Sequence, residues 1–156
     1  MSFMSKLKQG DKAPVIDAID QLGNSITLEQ FKGKKVILYF YPKDDTPGCT
    51  AEACNLRDNY NELIKQGFQI VGVSSDPVSS HKRFAKKYNL PFPLISDTDK
   101  KVITDYGVWG HKKFLGRSYD GILRTTFIID EQGIIERVIS KVETKMHTEQ
   151  IINIKV

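Results

Sequence analysis

VILYFYPKDDTPGCTAEAC, residues 36–54, passes from an unbroken apolar run through a short polar turn into a helical pattern. Residues 36–40 are all strong β-formers or apolar, as expected of a strand buried on both faces of a sheet. Pro42 ends the run, since it has no amide hydrogen to give to a ladder. Over residues 50–66 the apolar positions Ala53, Leu56, Tyr60, Leu63 and Ile64 recur at helical spacing, and Gly67 stands where a C-terminal cap belongs. Cys49 is thereby expected at a helix N-terminus, where the positive end of the macrodipole favours thiolate over thiol. Cys54 follows five residues later.

Upstream, residues 11–20 read as a short extended segment and residues 22–24 as a turn. Thr27 and Gln30 form a capping-box pattern that opens one helical turn ending at Gly33. Downstream, residues 68–74 read as a second strand. Ser79 or Ser80 then caps a basic helix that runs to Tyr88 and stops at Asn89 and Pro91. Residues 93–96 read as a brief strand, and Asp99 as the cap of a short helix reaching Tyr106. Residues 109–122 contain Gly110, Gly116 and Gly121 with little periodicity, and read as a loop. Residues 124–129 and 134–140 are β-rich runs joined by a four-residue hairpin connection, and a last helix starts near Thr148. Parallel strand–helix units, then an antiparallel hairpin and a closing helix, give an α/β chain in the thioredoxin-like order: a central mixed β-sheet flanked by helices.

The 156 residues, 40% apolar and 27% charged, suit one soluble domain spanning 1–156. The net charge of +4 comes from lysines scattered among acids, in runs no longer than pairs, so nucleic-acid binding has no support. The first residues lack an apolar signal core and no segment approaches a membrane span, so a cytoplasmic protein without membrane attachment is expected. Met4 offers a second start, which leaves residues 1–3 outside the reading.

Taken alone, two cysteines are most simply small buried hydrophobes. A zinc site needs about four ligands, and His81, His111 and His147 are too dispersed to supply them; all three read as solvated surface residues. A chain without an export signal is expected in a reducing compartment, where disulfides are usually transient and catalytic. Five residues apart on one helix, the two Cα atoms would lie about 8.6 Å apart, from about 7.5 Å of rise and about 140° of rotation. A disulfide needs less than about 7 Å. Bridging them would therefore require the first turn to melt.

PKDDTPGCTAEACNLRD at residues 42–58, with its Pro-x-x-x-Thr-x-x-Cys core, resembles the active site of peroxiredoxins of the bacterioferritin comigratory protein, or Q-type, group. GVWGHKKFLGRSYDGILRTTFIID at residues 107–130 resembles the matching part of that group, including Arg124 before Thr-Thr-Phe. The chain departs from the group's pattern at Val15-Ile16, where Asp-Phe is common, and in its short tail. The resemblance implies a thiol-dependent peroxidase acting on hydrogen peroxide and organic hydroperoxides. Cys49 would be the peroxidatic cysteine, passing through sulfenic acid, and Cys54 the resolving cysteine that closes an intramolecular disulfide. Thr46 would hydrogen-bond the peroxide, or simply stabilise its turn. Pro42 would shield the thiolate, or simply end its strand. Gly48 would lend backbone amides, and Arg124 would hold the negative charge beside Cys49. No metal, haem or flavin is implied, and thioredoxin or a similar dithiol protein is the expected reductant of a monomer, with a weak dimer as the alternative.

Magnitudes favour a cation at the site. Bringing an ordinary thiol from about 8.5 to about 6 needs roughly 3.4 kcal/mol, whereas a helix terminus supplies about 0.3 to 2 kcal/mol. Two other readings use the same cysteines. A thioredoxin-like disulfide oxidoreductase would be expected to show C-x-x-C, and a peroxide-sensing module would oxidise once without turnover.

Overall fold

The computed structural model describes residues 6–152, with only the backbone at Phe114. Residues 1–3 and the short tail after Ile152 lie outside the described residues. Asp17–Ile19 (β1) and Ser25–Thr27 (β2) form a small antiparallel pair. A 3-10 turn over Leu28–Phe31 follows, with the Thr27 amide donating to Gln30 Oε1 at 2.6 Å as the capping box predicts. Next come Lys35–Phe40 (β3), Pro47–Asp58 (α1), Tyr60–Lys65 (α2), Phe68–Ser74 (β4), Val78–Tyr88 (α3), Leu94–Ser96 (β5) and Lys101–Asp105 (α4). Trp109–Phe114 (β6), Arg117–Ile122 (β7), Thr125–Ile129 (β8), Ile135–Ile139 (β9) and His147–Ile152 (α5) complete the order.

The main sheet runs β5-β4-β3-β8-β9. Its first three strands are parallel, joined by helical crossovers, and β8 and β9 are antiparallel. β3 is the middle strand, as its apolar run requires, and the strand residues Val36 to Phe40 are at most 2% exposed. The alternation of side chains along β3 divides the interior into two cores. Val36, Leu38 and Phe40 pack with Ile26, Val102, Ile103 and Phe127 on one face. Ile37, Tyr39 and Tyr41 pack with Cys49, Ala53, Leu56, Phe84 and Ile151 on the other, under α1, α3 and α5. Each large side chain so buried contributes about 1.5–3 kcal/mol. The mixed sheet with helices on both faces is the expected thioredoxin-like architecture, and none of the helices described is long and apolar enough to cross a membrane.

Four local expectations need correction. The helix read over residues 50–66 starts at Pro47 and breaks at Asn59. Proline fits a first helical position, and Thr46 before it is extended at φ −97° and ψ 158°. At the break, the Asn59 side chain donates back to the Asn55 carbonyl at 2.8 Å and competes with the helical ladder. Residues 109–122 are not a loop but the β6–β7 hairpin, turned by Leu115 and Gly116 at φ 51° and 77°. Its strands are largely solvent-exposed, so they lack the apolar alternation by which strands are read. The short helix α4 is capped chiefly by Asp97, whose carboxylate accepts the amides of Val102 and Ile103 at 3.2 and 2.8 Å; Asp99 accepts only that of Lys101. Lastly, α3 starts at Val78 after Pro77, so Ser79 and Ser80 lie inside the helix rather than capping it, and Ser80 donates to Asp44 instead.

Gly72 of β4 lies opposite Tyr39 of β3, and a Cβ there would stand 2.8 Å from Leu94 and 2.9 Å from the Tyr39 ring. Overpacking of this kind costs about 1–3 kcal/mol. Gly72→Ala is therefore expected to lower the urea midpoint without changing its slope, and an unchanged midpoint would show that Tyr39 moves freely.

Candidate active site

Cys49 is the third residue of α1, among the amides that have no carbonyl one turn earlier to bond, and it is 1% exposed. The helix is placed by its apolar face, Ala53 and Leu56, which sits on Ile37 and Tyr39 of β3. The turn before it is held from two sides. Tyr41 and Ser80 donate hydroxyl hydrogens to Asp44 at 2.7 and 2.8 Å, and His81 Nδ1 lies 2.6 Å from the same carboxylate. Asp45, at φ 57°, accepts from Lys87 and Tyr88 at 2.8 Å each.

Arg124 arrives from the connection between β7 and β8. Its Nη2 donates to Cys49 Sγ at 3.4 Å, and its Nη1 donates to Glu52 Oε1 at 2.8 Å. Burial works against the guanidinium charge, but Cys49 and Glu52 together outweigh it and hold the group firmly protonated. Gly48 leaves room for this approach, since a Cβ on it would stand 3.0 Å from Arg124 Nη2. Lys112 of β6 donates to the Ile122 carbonyl at 2.9 Å, and burial followed by repulsion from Arg124 pushes its ammonium down. Lys112 and Arg124 share the wall of a cavity of about 710 Å³ with Lys8, Leu123 and Arg137.

The other residues singled out by the sequence do not line that cavity; they stand in the turn before α1 or on α1 itself. The Thr46 hydroxyl donates to the Lys43 carbonyl at 2.8 Å, which is its turn-stabilising role, and its lone pairs remain as acceptors. Pro42 and Thr46 are half-buried. Cys54 is a free thiol on the same helix, half-buried, and burial pushes its thiol up. Asn55 beside it ties α1 to the C-terminal segment: its side chain donates to the Lys145 carbonyl at 3.0 Å and accepts the Thr148 amide at 2.8 Å.

Sequence reading missed Glu52, His147, His81 and Asp44. Glu52 is 0% exposed, and burial pushes its carboxyl up to about 7 against the pull of Arg124. Its position three residues after Cys49, on the same helix face, was the signal available. Two of the three histidines expected at the surface are fully buried: His81, which is hydrogen-bonded to Asp44 and the Ile95 carbonyl, and His147 beneath Glu52. Each supports a polar group that sits far away in sequence, which local pattern cannot reveal. His111 is exposed as expected.

A thiol in the first turn of a helix, bonded to a half-buried arginine, is built to carry a negative charge on sulfur. Residues 9–138 match the model of the AhpC/TSA family. The chain belongs to the AhpC/TSA family. It is 49% identical over 146 residues to a putative peroxiredoxin Bcp of Coxiella burnetii, covering 94% of this chain and 97% of the relative. It is 47% identical over 150 residues to peroxiredoxin Bcp of Escherichia coli, covering 96% of each. The bacterioferritin comigratory protein of Xanthomonas campestris, whose structure is described in terms of alkyl peroxide reduction, superposes with a TM-score of 0.81 at 34% identity over 87% of each chain. This peroxiredoxin is thus a thiol-dependent peroxidase with the thioredoxin-like fold of its relatives.

The buried Glu52 carboxyl makes stability depend on pH. Its value is raised from 4.5 to about 7, so across that window the folded chain keeps a proton that the unfolded chain has lost, and stability falls as pH rises. Glu52→Gln removes this loss. Relative to the parent it is expected to gain on the order of 3 kcal/mol between about pH 5 and about pH 8 in urea unfolding. A difference that stays flat with pH would show that Glu52 is ionised throughout.

Proposed function

We propose that Cys49 is the peroxidatic cysteine and Cys54 the resolving cysteine of this peroxidase, within a single domain. The observation that carries the reading is the 3.4 Å contact from Arg124 Nη2 to Cys49 Sγ in the first turn of α1. The thiolate attacks the terminal oxygen of the hydroperoxide, the O–O bond breaks, and Cys49 becomes sulfenic acid while the alkoxide leaves and takes up a proton. Charge builds on the two peroxide oxygens in the transition state. Arg124 and the amides around Gly48 are the donors that face it, while the Thr46 hydroxyl, whose hydrogen goes to the Lys43 carbonyl, accepts from the peroxide O–H. Pro42 keeps bulk water from the sulfur. The Cys54 thiolate then attacks the Cys49 sulfur and expels hydroxide, which leaves as water once protonated. A dithiol protein reduces the resulting bridge; thioredoxin is the reductant proposed, acting on a cytoplasmic monomer.

Both cysteines stand in one unbroken stretch of α1, where five-residue spacing leaves the Cα atoms about 8.6 Å apart. Resolution therefore costs the first turns of α1 and the burial they provide around Ala53.

Peroxide consumption coupled to thioredoxin, glutaredoxin or glutathione tests the assignment. Cys49→Ser is expected to abolish turnover, and activity above about a tenth of the parent's would move the nucleophile elsewhere. Arg124→Met should slow the second-order reaction with peroxide at least about tenfold. In the disulfide form, amide exchange over residues 50–56 is expected to be faster than in the dithiol form. Mass spectrometry after one equivalent of peroxide should find Cys49 bridged to Cys54 within one chain. Bridges only between chains would overturn the resolving role of Cys54.

A further inference from the structure

The hydrogen bonds beneath the active site leave one carboxylate oxygen unaccounted for. Gln150 accepts the Glu143 amide on Oε1 at 2.9 Å and donates from Nε2 to the Lys141 carbonyl at 2.9 Å, which fixes the orientation of its amide. His147 Nδ1, 2.8 Å from that Oε1, must therefore carry a hydrogen and donate it. The titrating nitrogen is then Nε2, which lies 2.8 Å from Thr126 Oγ1 and 3.5 Å from Glu52 Oε2. Glu52 Oε1 is taken by Arg124, and Oε2 has no hydrogen-bond partner among the described residues. Both side chains are 0% exposed. A bare carboxylate oxygen at such depth is costly, and one proton relieves it, whether carried on Oε2 facing Nε2 or on Nε2 facing Oε2.

We propose that Glu52 and His147 hold one proton between them, and that this proton sets how much of the Arg124 charge is left for Cys49. His147 is on this view a positioning residue for the peroxidatic thiol, which rests on the assignment of Cys49 above. With the proton the pair is neutral, and Arg124 turns its charge to the sulfur. Without it the pair carries one negative charge, and the thiolate and Glu52 divide the same guanidinium. The other ionisable groups facing the pair do not take over this role. Tyr39 from β3 is pushed far up by burial and stays neutral. Arg137 from β9 is held by the carbonyls of Gln150 and Ile151 and, though burial pushes it down, remains a cation that disfavours charge on His147. Lys112 from β6 acts on Arg124. Burial pushes Glu52 up to about 7 and His147 down, so the shared proton resides on the acid and leaves near neutrality.

The test follows the pH dependence of Cys49 alkylation by iodoacetamide in a Cys54→Ser background, which requires no peroxide turnover. Glu52→Gln keeps an acceptor for Arg124 without a charge. It is expected to lower the alkylation midpoint by about half a pH unit or more, a threefold change in the thiolate-to-thiol ratio. His147→Asn keeps the donor to Gln150 but removes the second ring nitrogen. It destabilises the protonated pair and is expected to raise the midpoint. Added to Glu52→Gln, His147→Asn should shift nothing further. Shifts of the same sign in the two single variants, or a His147→Asn effect that persists beside Glu52→Gln, would overturn the proposal. Should His147→Asn fail to fold, the His147 ring signals serve instead. Their titration midpoint is expected to be lower with serine at both cysteine positions than with Cys54→Ser alone, because the thiolate supports the pair's proton; equal midpoints would overturn the proposal. A wrong assignment of Cys49 would show separately, as turnover retained in Cys49→Ser.

Discussion

Arg124 is a cation largely withdrawn from water between two groups that compete for it, the Cys49 sulfur at 3.4 Å and the Glu52 carboxylate at 2.8 Å. A guanidinium in that position is tolerable only while it is paired, and a thiolate is tolerable there only while the guanidinium stays. Much of the surrounding structure serves to keep the three in register. β8 continues directly from Arg124 and pairs with β3, so the arginine is tied to the central strand. Cys49 and Glu52 stand three residues apart on α1, which presents both to the same fork. Gly48 removes the one side chain that would block it.

The same helix has to meet a second demand. On the proposed assignment, catalysis at Cys49 requires α1 intact, because its first turn orients the sulfur and the amides around it, while resolution by Cys54 requires that turn to come apart. The restraints are divided accordingly. The Asp44 and Asp45 contacts hold the chain before the helix, and Asn55 ties the far side of the cysteine pair to the C-terminal segment. Between them the helix has Gly48 and a proline start, and it buries Cys49, Glu52, Ala53 and Leu56. Segments that move in a reaction cycle open locally at a lower free energy than global unfolding. The break at Asn59 confines the change, since α2 keeps its own packing through Leu63.

The resting-state charges also explain why buried histidines are tolerated here. His81 bonds Asp44 and the Ile95 carbonyl, and His147 bonds Gln150 and Thr126, so the ring nitrogens of both are satisfied and neither needs water. One sits under the turn that precedes Cys49 and the other under the helix that carries it. Polar groups so placed define one arrangement of the site, because any slip would leave buried donors or acceptors unpaired.

The sequence by itself determined the elements whose physics is local. The apolar run of β3 could only be a strand buried on both faces, and Pro42 had to end it. The helical spacing of Ala53, Leu56, Leu63 and Ile64 placed α1 and α2, and the motif around Cys49, with Arg124 before β8, marked the chemistry. The β6–β7 hairpin was illegible because exposed strands have no buried face to write a period of two into the sequence. Asn59 was illegible as a break because asparagine is tolerated within helices as well as at their ends. What only the tertiary structure decided was which polar groups meet without water. Residue 147 reads as a surface histidine until α5 folds back across α1 and sets its ring beside Glu52, and Glu52 goes unread until Arg124 arrives from a strand connection 72 residues away. Burial and charge pairing are properties of distance through space, and no local pattern encodes them.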